Sequence, residues 1–246
     1  MKGPKTTPLS RRTVVTASGV AGLALVTPAT TNANAGATEL SEQVSSLLDV
    51  SDPVETLHMR ARLLGNLDPN GRRIDRFEGV VMGITPAGDA VTLVGLCGQI
   101  ETRFVPTKYN NVWQRTRTIT GAYNENTTGE LLTRFLNPFT GESVAVPDLW
   151  AEADDFVDGT QAPDWRQEQS QLVMEDTETF NHFGAPMVSM TVRVAHLKDL
   201  GDASLSAVPT LGTWTLSGPW PDWLQMDNMP GQCVIRCSFS GDQASV

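Results

Sequence analysis

From Asn66 onward the chain abandons a helical hydrophobic period for an alternating one, and this limits what it can fold into more than any other feature. Over residues 112–123, Val112, Gln114, Thr116, Thr118 and Thr120 fall on one side, and Trp113, Arg115, Arg117, Ile119 and Gly121 on the other. A period of two is that of a strand with one face turned inward. Residues 76–84, 130–136, 142–146, 171–183, 187–196, 213–217 and 233–239 read as further strands. Residues 90–105 read as one long strand or a pair, with Gly95 and Gly98 permitting a bulge. Pro86-Ala87-Gly88-Asp89, residues 124–129 and Asn137-Pro138-Phe139-Thr140-Gly141 supply turns, so that 112–146 reads as a meander. Many short strands with little helix predict an all-β, mainly antiparallel fold, a barrel or a sandwich, with a short N-terminal helical segment.

That helix has its own signals. Asp52 suits an N-cap, Pro53 the first helical position, and Glu55 places an acid in the first turn. Val54, Leu57, Ala61 and Leu64 then recur at helical spacing and Gly65 can end the run, which predicts a helix over 53–64 with His58 half-exposed beside its apolar stripe. A shorter helix is expected within 40–48. The stretch 147–169 carries Asp148, Glu152, Asp154, Asp155, Asp158 and Asp164 without the spacing of a calcium loop, and reads as a solvated acidic loop.

The first 35 residues read as an address. Lys2 and Lys5 precede Ser10-Arg11-Arg12-Thr13, an apolar stretch of 13 residues runs from Val14 to Val26, and Ala33-Asn34-Ala35 offers a cleavage site. The pair Arg11 and Arg12 before a modest apolar stretch has the form of a twin-arginine signal. Thirteen residues are too few for a bilayer core, which takes about 20. The expectation is a signal peptide over 1–35, a single β-rich domain over 36–246 without a membrane span, the twin-arginine export machinery as a partner, and a periplasmic or secreted location.

The whole chain has a net charge of -10, and beyond residue 35 it holds 14 basic against 28 acidic residues. Such a surface repels phosphate backbones, so nucleic-acid binding is not expected. The 3 cysteines form no disulfide framework. Cys233 and Cys237 would lie about 13 Å apart along one strand, too far to bridge. Cys97 could reach one of them only across paired strands. Otherwise all three are small buried hydrophobes.

Two blocks carry a resemblance. One is Asn126-Thr127-Thr128-Gly129-Glu130-Leu131 with Asn137-Pro138-Phe139-Thr140-Gly141-Glu142-Ser143-Val144. The other is Gly212-Thr213-Trp214-Thr215 with Gly218-Pro219-Trp220-Pro221-Asp222-Trp223-Leu224-Gln225-Met226 and Met229-Pro230-Gly231. Over roughly residues 50–240 the chain resembles the bacterial family called domain of unknown function 1838, whose members often carry a twin-arginine signal. Leu224 and Asp227-Asn228 depart from its pattern. The resemblance implies export and no particular reaction.

Candidate chemistry is sparse. There is no nucleophile elbow, no His-Glu-x-x-His, no Cys-x-x-Cys and no Gly-rich nucleotide loop, so neither a metal nor a cofactor is expected. Trp214, Trp220, Trp223 and Met226, among prolines that shape a loop, could floor an apolar pocket together with Tyr123, or else plug the core. Glu178, Phe180 and His182 would share one strand face. Glu178 and His182 could then act as acid and base inside a barrel, although a backbone- or water-bonded histidine is the plainer reading. Arg115 and Arg117 also share a face, which binds a carboxylate if it points inward and balances surface acids if it points outward; the outward reading is the simpler. Function is therefore expected to be the binding of a small, largely apolar molecule, with metal-free acid–base chemistry on it. The alternative is a non-enzymatic exported interaction or structural protein.

Overall fold

The structure is a computed structural model that describes residues 44, 46–161, 163–226 and 229–243. The segment 1–35, with Arg11 and Arg12, and most of 40–48 lie outside the described residues. Helix α1 spans Pro53–Leu64. The Asp52 carboxylate accepts the Val54 N–H at 2.8 Å and the Gly65 N–H closes on the Ala61 carbonyl at 2.9 Å, so both ends are satisfied. Besides Leu57, Ala61 and Leu64, the helix buries Thr56, Met59, Arg60 and Leu63. This face is wider than one stripe because α1 packs in two directions. It meets Phe104, Trp113, Leu172 and Met174 of the strands, and Leu197 and Leu200 of the short helix α2 (Leu197–Leu200). His58 is exposed and sets its ring edge-on to Trp113, 5.4 Å between centroids.

Among the described residues eleven strands follow: β1 Arg73–Ile84, β2 Ala90–Pro106, β3 Val112–Asn124, β4 Arg134–Leu136, β5 Ser143–Ala145, β6 Leu149–Asp158, β7 Asp164–Glu168, β8 Gln171–His182, β9 Ala185–His196, β10 Thr210–Gly218 and β11 Gln232–Gln243. Nine form one antiparallel sheet in the order β6-β3-β2-β1-β11-β10-β9-β8-β7. The fold is all-β, as the alternation predicts. This nine-stranded sheet is curled into half a barrel rather than split into the two packed sheets of a sandwich. The curl shows in contacts that skip strands: Arg117 Nη1 of β3 lies 2.5 Å from Glu178 Oε1 of β8, although five strands separate them in the sheet. Within the sheet α1 closes one end, and Gly159 is required there because a Cβ would meet the Pro53 carbonyl oxygen at 1.9 Å.

The ribbon β4–β5 and the tryptophan segment close the other end. Phe139 packs on Trp220 and Phe135 on Trp223, at 5.6 and 6.4 Å between ring centroids. The buried Asn137 amide donates to the Leu224 carbonyl at 3.0 Å. The two sequence blocks that carry the family resemblance thus pack on one another.

Several expectations are corrected. The acidic stretch 147–169 is not a solvated loop but contains β6 and β7. Its acids alternate: Leu149, Ala151, Ala153, Asp155 and Val157 turn inward while Trp150, Glu152, Asp154 and Phe156 are exposed. High charge hid a period of two. Residues 112–146 are not a continuous meander, since β3 pairs with β2 and β6, and β4–β5 stands apart as its own ribbon. Of 130–136 only Arg134–Leu136 is a strand, with Leu131 bridging Asn124. β2 is one strand, with an irregular register against β1 between Val81 and Met82. All three cysteines are free, and β1 lies between the strand of Cys97 and that of Cys233 and Cys237. Among the described residues no helix is long and apolar enough to cross a membrane.

Candidate functional site

The inward faces of the two halves of the sheet do not meet everywhere. Between them lies a cavity of about 200 Å³, walled by Phe77, Leu96, Ile119, Leu149, Ala151, Leu216 and Ile235, with Trp150 and the β8–β9 turn at its side. Asn181, His182, Phe183 and Trp214 complete it. The Trp214 N–H donates to Ser189 Oγ at 2.7 Å, so its polar atom is engaged and the indole presents hydrocarbon. His182 is the buried polar side chain in the wall of this otherwise apolar chamber, while Asn181, also lining it, is exposed and accepts the Gly184 N–H at 3.1 Å through its Oδ1.

The local chain explains why His182 is held there. His182 and Ala185 are the closing pair of β8 and β9, joined by the two residues Phe183 and Gly184, whose φ angles are 45° and 86°. Two consecutive positive φ values make the tight hairpin turn that matches sheet twist, in which a phenylalanine is unusual and strained. Phe183 stands edge-on to the His182 ring at 4.8 Å. His182 is buried, and its Nε2 lies 3.1 Å from the Tyr123 hydroxyl. Burial pushes the imidazole down to about 4, so the ring is neutral at neutral pH. Burial also raises the Tyr123 phenol well above its ordinary range. The phenol therefore keeps its proton. It can donate to Nε2, which puts the ring proton on Nδ1, or accept from Nε2–H, which leaves the Nδ1 lone pair free.

The other expected residues divide. Trp214 lines the cavity, and Tyr123 reaches it through His182. Trp220, Trp223 and Met226 are not in its wall. Trp220 and Met226 are buried in the core and Trp223 packs against it beside Tyr123, 5.2 Å between ring centroids. Glu178 does share the inward face with His182 but lies in an ionic layer between the cavity and α1 rather than beside the histidine.

That layer is the feature furthest from expectation. Arg115 and Arg117 point inward, not to solvent. The Glu178 carboxylate takes Arg115 at 2.8 Å and Arg117 at 2.5 Å, while Arg115 Nε also reaches Asp155 at 2.9 Å. Burial alone would raise Glu178, but the two guanidiniums outweigh it and hold the carboxyl at about 2. Arg60 of α1 pairs with Asp176 at 2.7 Å. Arg73 and Arg193 flank the fully buried Asp75, Arg73 Nε at 2.7 Å and Arg193 Nη1 at 3.1 Å. A second, smaller cavity of about 50 Å³ lies in this layer between Leu64 and Phe239 and shares Ile119 and Trp214 with the first. Among the described residues no three His, Cys, Asp or Glu side chains converge as metal ligands would.

No family model matches the chain, and no curated protein is similar to it. The resemblance to domain of unknown function 1838 thus rests on the two motifs. Sequence reasoning missed Asn181, Phe183 and Trp150. The first two had a signal in Asn181-His182-Phe183-Gly184, a two-residue hairpin turn ending in glycine; Trp150 was obscured by the acids around it.

Proposed function

We propose that the protein binds a small, largely apolar molecule in the cavity beside His182 and acts on it by acid–base chemistry that uses no metal. The observation that carries this reading is the cavity itself, an apolar chamber with Asn181 and a neutral, tyrosine-held histidine in its wall. Ligand sites have this make-up, a mostly hydrocarbon lining with a few placed polar groups. An apolar cavity of about 150 Å³ accommodates benzene, so about 200 Å³ suits a single ring with a short chain. With Nε2–H donated to the Tyr123 oxygen, which holds the ring, His182 Nδ1 would take a proton from the bound molecule and return it. The signal-like segment with Arg11 and Arg12 supports a role outside the cytoplasm, reached through the twin-arginine machinery.

Native mass spectrometry of protein purified from a twin-arginine-competent host tests the reading. A retained mass that is lost on denaturation, and lost in a Leu216→Trp variant that fills the chamber, is expected. A bare mass, together with no thermal shift from small aromatic and alkyl compounds, would overturn it.

One observation favours a second reading, an interaction protein without catalysis. On the edge strand β6, Phe156 is 69% exposed, and Trp150, at the side of the cavity, is 57% exposed. An exposed aromatic pair beside an open sheet edge is a feature of docking surfaces. Sedimentation of wild type against Phe156→Ser separates the readings: loss of an assembly with ligand binding intact supports docking, and a monomer in both removes it.

A further inference from the structure

We infer that the cavity takes an uncharged aromatic compound and that Phe183 is the residue that selects it. This rests on the cavity being the binding site. Phe77, Trp150, Phe183 and Trp214 put four aromatic rings into its wall, and no charged side chain of the described residues lines it. An ion entering such a chamber would leave its water behind and meet no counter-charge, which is costly. An aromatic ring, in contrast, gains from edge and face contacts with other rings beyond the area it buries. Two of the wall rings already meet in this way, Phe77 and Trp214, at 6.2 Å between centroids and 76° between planes.

Phe183 is singled out by its backbone. The hairpin turn that it forms with Gly184 favours Asn, Asp or Gly at both central positions, because both have positive φ. Gly184 meets that demand at 86°, whereas Phe183, at 45°, is a bulky residue in a region such residues rarely enter. The turn is pinned on both sides: Asn181 Oδ1 accepts the Gly184 N–H at 3.1 Å, and the Phe183 carbonyl accepts the Asp222 N–H at 3.2 Å. Core packing accounts for only part of the ring, because Phe183 is half-buried and packs against the core from outside it. The ring also reaches the cavity and the His182 imidazole, 4.8 Å between centroids. Strained residues of this kind persist at ligand clamps. A phenylalanine at this corner sets an aromatic wall beside the histidine, at a position where asparagine would relax the turn.

Calorimetric titration of the purified full chain with benzyl alcohol, cyclohexylmethanol and benzoate tests this, since the two alcohols share their hydroxyl and nearly their size. Benzyl alcohol is expected to bind at least about threefold more tightly than cyclohexylmethanol. Benzoate should bind at least about tenfold more weakly than benzyl alcohol. Phe183→Leu, which keeps hydrocarbon in the wall, and Phe183→Asn, which suits the turn, should both bring the ratio of the two alcohols close to one. Equal affinity for the alcohols in wild type, or benzoate bound as tightly as benzyl alcohol, would overturn the uncharged aromatic class and leave the cavity reading standing. A preference retained in the variants would overturn the role of Phe183. No binding of any of the three would overturn this inference and the cavity reading together. If one variant does not fold, the other decides.

Discussion

Burying His182 as a neutral ring makes the fold sensitive to mild acid, and the size of the effect can be worked out. The ordinary histidine value is 6.5 and the folded value about 4. The unfolded chain therefore takes up a proton that the folded chain refuses across this window. Stability is unaffected above about pH 7, falls as pH drops through 6.5 towards 4, and levels off below. The full gap corresponds to roughly 3 kcal/mol, of which about 2 kcal/mol is already lost at about pH 5. Glu178 adds little there, because its loss begins only near the ordinary glutamate value of 4.5 and runs down to about 2. Urea unfolding at about pH 7 and about pH 5, for wild type and His182→Gln, isolates the histidine. Wild type should lose about 2 kcal/mol more than the variant between the two conditions. Equal losses would refute the burial argument, and with it the claim that the ring is neutral and available as a base.

Other consequences can be checked by similar means. Asp75→Asn leaves Arg73 and Arg193 buried side by side without their shared counter-charge, and should cost about 3–5 kcal/mol in urea unfolding. Gln169, exposed at φ 54° in the β7–β8 turn, should give about 1 kcal/mol of added stability as Gln169→Gly. Trp220→Ala should cost about 3–5 kcal/mol yet leave cavity binding unchanged, whereas Trp214→Ala should alter affinity, read by thermal shift with a bound probe. Cys233 and Cys237 are buried with thiols pushed up to about 12, so a thiol reagent should label Cys97 in the folded protein and the other two only on unfolding.

What the sequence discloses and what it conceals have a common physical cause. Helix α1 was legible to the residue because its cap, first turn and end are local chemistry. So was the alternation of β3, which placed Trp113, Arg115, Arg117 and Ile119 on one face. The direction of that face was not legible. Two arginines on a strand look like surface residues until Glu178 and Asp155, 63 and 40 residues away, are folded against them. The same long-range pairing turned an acidic stretch into β6. For the site, His182 and Trp214 stood out as isolated residue types, but the chamber they share is made by β1, β2, β3, β6, β8, β10 and β11 together, and no window of sequence contains it. The tryptophan segment drew attention by composition and turned out to close the core.

The order of the sheet has a consequence for how the chain assembles. β1, β2, β3 and β6 form one set of neighbours close in sequence, and β7 to β11 another; a single seam, β1 against β11, joins them, with Arg73 opposite Gln243. Each set can form from hairpins as soon as its own residues are available, but the seam must close a loop of 170 residues. During synthesis the first set waits with the edge of β1 unpaired, a strand edge prone to wrong partners, until β11 has emerged. Folding of the sheet is thus tied to the emergence of β11, and a substitution that weakens β11 should act first on yield from the ribosome rather than on the finished molecule.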